Sequence, residues 1–159
     1  MLKAILDFLI QWWDILIFFP CSLILIIFNI RLWQARKSGS SLQDLPQRQL
    51  AATILTGASS AAISVASILI SATLVYIQLA VRSNTSPHHE ALDYAFRVII
   101  WLLISLFMGL FVIWIHGMHG QFKNAVTNLY ITIPFGLQFL ALIIGTTHVL
   151  ISIYHALYK

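Results

Sequence analysis

Between Ala51 and Ala80 the chain runs thirty residues without an Asp, Glu, Lys or Arg. Wound as a helix at ~1.5 Å per residue, that stretch is about 45 Å long, more than the ~30 Å hydrocarbon core of a bilayer. No water-facing surface of a small domain can absorb so long an uncharged rod, and a membrane span follows. Thr53, Gly57, Ser60, Ser64, Ser67 and Ser71 recur through it at alternating steps of four and three. On a helix that spacing aligns them along one seam, with Ile54, Leu55, Ile63, Val65, Ile68 and Leu69 covering the rest. The seam suits close approach, either by another helix or by water.

The remaining sequence agrees. Of 159 residues, 60% are hydrophobic and 9% charged, where a soluble domain needs roughly 25% charged residues to cover itself. One transmembrane domain, residues 1–159, accounts for the length. Four apolar blocks at about 12–33, 50–80, 94–115 and 129–154 read as spans. The expected fold is all-α, a bundle of four transmembrane helices. Leu2, Ile5, Leu6, Leu9 and Ile10 alternate with Lys3, Asp7, Gln11 and Asp14, a short amphipathic lead-in to the first span. Asp7 and Asp14 interrupt the apolar stretch after Lys3 and no small-residue cleavage pattern follows, so the first span is expected to stay in place. Pro20 is expected to kink it or to mark where the chain turns into the membrane. Pro46 suits the first turn of the second helix, and Ser86-Pro87 the start of the third.

Charge sits at the segment ends. The first and third breaks with the adjoining span end hold Arg31, Arg36, Lys37, Arg48 and Lys123 against Asp44 alone; the opposite side holds Lys3, Arg82, Arg97 and Lys159 against Asp7, Asp14, Glu90 and Asp93. The positive-inside rule then makes the first and third loops cytoplasmic and puts both termini on the opposite side. The net charge of +4 is scattered rather than striped, so it implies lipid headgroups as partners and no nucleic acid. The single cysteine, Cys21, rules out an intrachain disulfide.

Few side chains could carry chemistry. Asp14 and Arg97 fall at the same end of the spans, where an interfacial ion pair would lower the cost of both. His88, His89, Asp93 and His155 gather at that same surface, an imidazole and carboxylate set that zinc or copper accepts, though adjacent loop histidines equally serve as polar residues. His116 and His119 sit at the other end from His148 and His155, so no histidine pair shares a depth for haem. Asn29 and Gln138 are carboxamides inside spans, each able to bond a facing hydroxyl. No nucleophile–base pair, P-loop or dinucleotide fingerprint occurs, so neither an enzyme nor a cofactor is expected.

Pro20 to Arg36, ending Asn-Ile-Arg-Leu-Trp-Gln-Ala-Arg, the segment from Arg48 to Ser60, and Gln121-Phe122-Lys123-Asn124-Ala125-Val126 running to Ile133-Pro134 together form a pattern. It resembles an uncharacterised family of multi-helix membrane proteins found in bacteria and plants. The resemblance implies membrane embedding and brings no activity with it. The expected function is therefore a non-catalytic membrane subunit that associates helix to helix, with copies of itself or other membrane subunits. Alternatives are a small homo-oligomeric pore lined by the seam and a metal- or haem-binding redox subunit.

Overall fold

The computed structural model describes residues 2–37, 45–82, 89–118 and 126–158. Four helices make up these residues: α1 Leu2–Lys37, α2 Leu45–Arg82, α3 His89–Met118 and α4 Val126–Tyr158, with no strand among them. Each holds a stretch long and apolar enough to cross a membrane, namely Trp12–Arg31, Thr53–Leu79, Leu92–Gly117 and Ile131–Tyr154. The protein is an all-α, multi-pass membrane bundle. The helices outrun their apolar stretches because an intrahelical hydrogen-bond ladder satisfies the backbone equally well in lipid and in the interface.

The expected break in the first span falls at Trp12, not at Pro20. Trp12 leaves helical geometry with φ −117° and ψ 15°, dividing the amphipathic lead-in from the span, while Pro20 stays within the helix. Pro46 is the second residue of α2, where its missing N–H removes no intrahelical bond. Ser86-Pro87 lies outside the described residues.

α3 and α4 form the most extensive pairing; α2 packs on both of them and α1 mainly on α4, while α1 and α2 share no extended contact. Leu102 of α3 meets Gly145 of α4, and Gly109 meets Gln138, which makes the pair antiparallel. Leu25 of α1 lies against Gly136 of α4, and Asp14 meets His148, again antiparallel. The result is two three-helix cores built on a shared α3–α4 spine. On one side Ala66 of α2 packs with Val98 and Leu102, with Leu142 and Val149 completing the set; Val112 and Ile131 continue this core toward the other end. On the other side Trp13, Ile15 and Phe18 of α1 pack on Trp101, Ala141 and Ile144.

Lipid tails are as apolar as leucine, so burial of these residues is not driven by water exclusion. Dense van der Waals packing, small residues and polar bonds must hold the helices together instead. Gly136 shows the packing at its tightest: a Cβ there would run into Leu25 Cδ1.

Candidate functional site

Two polar features stand out against this apolar frame. The first fastens α2. Ser59 and Gln138 are fully buried. The Ser59 hydroxyl donates to Gln138 Oε1, and Gln138 Nε2 donates back to the Ser59 carbonyl at 3.0 Å. The Gly109 carbonyl of α3 lies 3.4 Å from the same hydroxyl. Gly109 has to be glycine for this clasp to close, because a Cβ would fall on the Gln138 amide nitrogen and within 2.7 Å of Ile63 Cγ1. Gln138 does find a facing hydroxyl. Asn29 does not, and donates to the Leu25 carbonyl of its own helix at 2.8 Å.

The second feature lies at the end of the bundle that holds the N-terminal part of α1. Asp14 is 2% exposed, and its Oδ2 is the meeting point of three side-chain nitrogens. Trp101 Nε1 donates to it at 2.8 Å, His148 Nε2 stands 3.0 Å away and Arg97 Nη1 3.5 Å away. Oδ1 accepts the Ile15 amide at 2.9 Å. That bond is available because the break at Trp12 leaves Asp14 at the beginning of the spanning part of the helix, where backbone N–H groups lack acceptors. Arg97 also reaches outward, Nε standing 3.3 Å from Asp93 Oδ2 one turn earlier, and its guanidinium lies 5.8 Å from the Trp12 ring centroid. His148 is fully buried, tilted between Trp13 at 5.1 Å and Tyr94 at 5.7 Å. Among the described residues, His148 Nδ1 and the buried Ser105 hydroxyl are side-chain atoms that find no partner.

The structure thus brings Asp14 and Arg97 together and adds Trp101 and His148. Sequence reasoning set His148 beside His155 and missed this. Shared depth could have found it, because the third residue of the first apolar stretch and the seventh from the end of the last face each other across an antiparallel pair. Of the candidate metal ligands, His88 lies outside the described residues, as do the side chains of His89 and His155, and Asp93 is exposed beside Arg97. Among the described residues no group of three or more His, Cys, Asp or Glu side chains could hold a metal ion.

The predicted seam turns outward. Thr53, Gly57, Ser60, Ser64, Ser67 and Ser71 are all exposed, and the space a Gly57 Cβ would enter is open. Ser64, Ser67 and Ser71 return their hydroxyls to the Ser60, Ile63 and Ser67 carbonyls at 3.2, 2.9 and 2.9 Å. Inside the bundle α2 uses a different row, Ser59, Ala62, Ala66 and Thr73. At ~100° per residue the two rows lie roughly 150° apart, so the helix has small residues on nearly opposite faces.

Comparison with protein-family models, with curated proteins and with solved structures finds no match for this chain. The resemblance drawn from residues 20–36, 48–60 and 121–134 therefore rests on those residues alone.

Proposed function

We propose that this protein is a non-catalytic membrane subunit that works by helix–helix association, and that the outward row of α2 is its contact face. One contrast carries the reading. The other helices turn bulky side chains toward lipid, such as Phe19, Leu23 and Phe28 on α1 and Phe96, Phe107 and Trp114 on α3. α2 alternates such residues with Gly57, Ser60, Ser64, Ser67 and Ser71. Small residues gain nothing from acyl chains but let a second backbone come close. The occupant we assign is α2 of a second copy. The face carries no charge, the Ser64, Ser67 and Ser71 hydroxyls are already returned to their own helix, and an uncharged row is complementary to itself across a two-fold axis. The basic residues of the first loop support an orientation with the first and third loops cytoplasmic and the Asp14 end of the bundle on the other side.

The test is the mass of the particle formed by the full chain in mild detergent and in nanodiscs. The native chain is expected as a dimer or larger, and Ser64→Leu and Ser67→Leu as smaller particles with unchanged helix content. A native chain that stays monomeric at every protein-to-lipid ratio overturns the proposal. So does an oligomer that survives both substitutions while its conductance in planar bilayers is lost, since that result belongs to a pore lined by the row.

A further inference from the structure

We propose that His148 is a proton-binding residue and that, once protonated, it competes with Arg97 for Asp14. Three side-chain nitrogens converge on one oxygen. Trp101 Nε1, His148 Nε2 and Arg97 Nη1 all approach Asp14 Oδ2. An indole N–H can only donate and a guanidinium is always charged, so the oxygen that receives both is an ionised carboxylate. A carboxylate only accepts, and therefore Nε2 of His148 carries the hydrogen. Nδ1 is left as a bare lone pair, fully buried and without a partner. The imidazole is then neutral, and Arg97 supplies the charge that balances Asp14.

Arg97 is not committed to that role. Its guanidinium bridges two carboxylates, the buried Asp14 at 3.5 Å and the exposed Asp93 at 3.3 Å, and its side chain keeps 18% of its surface open. The charged and titratable groups around His148 are few. α1 contributes Asp14, and α3 contributes Asp93, Arg97 and the Tyr94 phenol; α4 itself has His155 and the phenols of Tyr130, Tyr154 and Tyr158 besides His148, and from Ala51 to Ala80 α2 has no charged side chain and the single phenol of Tyr76. A proton taken from water onto Nδ1 makes an imidazolium whose Nε2–H still points at Asp14, now as a charge-assisted bond. The new cation sits between the Trp13 and Tyr94 rings, whose electron-rich faces favour it. With Asp14 balanced from α4, Arg97 shifts toward Asp93 and the headgroups. Acid thus exchanges an α1–α3 ion pair for an α1–α4 pair, a two-position device at one end of the bundle.

The test follows the side-chain nitrogens of histidine by 15N NMR on the full chain in bicelles, with His148→Gln to assign the signals. At neutral pH, His148 is expected as the Nε2–H tautomer; acidification should protonate Nδ1 and alter Trp12 fluorescence as Arg97 leaves that ring. Arg97→Gln removes the competitor, so the same protonation should occur at roughly tenfold lower proton concentration. Asp93→Asn, an exposed change that leaves the fold alone, removes the outer carboxylate and should act in the opposite direction. The proposal is overturned if Nδ1 carries the hydrogen at neutral pH. It also fails if His148 does not titrate between about pH 4 and about pH 9, or if both variants titrate like the native chain.

Discussion

Replacing Ser59 with alanine tests how α2 is held to the α3–α4 spine. The hydroxyl is fully buried and donates to Gln138 Oε1, while the return bond from Gln138 Nε2 goes to the Ser59 backbone and survives the change. An interhelical side-chain bond in a membrane averages ~0.6 kcal/mol and reaches about 1.7. The stranded Oε1 adds to that, because a buried acceptor without its donor costs ~1–3 kcal/mol where no water can replace it. Ser59→Ala should therefore destabilise the fold by about 1–2 kcal/mol. Gln138→Leu removes both bonds yet strands less, since the Ser59 hydroxyl can turn to the Gly109 carbonyl 3.4 Å away; about 0.5–1 kcal/mol is expected. In the double variant neither side chain leaves an unpaired polar atom, so its cost should fall about 1 kcal/mol short of the sum of the single costs. Reversible unfolding in bicelles, read by a steric trap on α2, supplies the three free energies. A Ser59→Ala cost below ~0.3 kcal/mol, or additivity within that margin, refutes the clasp as an energetic unit.

Asp14→Asn keeps the shape but withdraws the charge facing Arg97 and His148. Breaking a buried ion pair costs ~3–5 kcal/mol, but Arg97 is partly exposed and keeps Asp93, so about 2 kcal/mol is the screened expectation. The α1 amides should lose hydrogen-exchange protection before those of α2, and equal loss in both helices would show that the cluster does not anchor α1. Gly136→Val should cost ~1–3 kcal/mol by forcing α1 off α4, and Leu25→Ala should recover part of it because Leu25 is the side chain in the way. Thermal unfolding of both variants checks this; no recovery would place the strain elsewhere.

What the sequence made legible follows from what periodicity encodes. Uncharged length announced four spanning helices, and charge at matching depth brought Asp14 to Arg97. The inward face of α2 was not legible. Ser59, Ala62, Ala66 and Thr73 repeat with the same three-four spacing as Ser60, Ser64, Ser67 and Ser71, and a polar–apolar pattern cannot rank two rows of small residues when lipid and protein are equally apolar. The complementary cue lies on other helices: Gly109 and Gln138 leave room and a partner for one serine only. His148 escaped for a related reason. Its neighbours are far away in sequence, and nothing within α4 announces that its Nε2 meets the Asp14 carboxylate oxygen that Trp101 also bonds.

Polar clusters thus fasten the outer helices to the spine, Ser59 with Gln138 for α2 and Asp14 with Trp101, His148 and Arg97 for α1, and the two lie at different depths. Gln138 and His148 are ten residues apart on α4, about 15 Å along its axis, and they meet Ser59 of α2 and Asp14 of α1 respectively. Sites more than ~7–10 Å apart that share no partner contribute independently. The Ser59→Ala and Asp14→Asn costs should then add to within about 0.5 kcal/mol when combined. That additivity is specific to a bundle of two cores: helices around one common core would repack together, and loosening α1 would change what the Ser59 bond is worth. A combined cost departing from the sum by more than ~1 kcal/mol would mean that α3 and α4 transmit the loss of one outer helix to the other, and the shared spine would have to be treated as a deformable element rather than a rigid one.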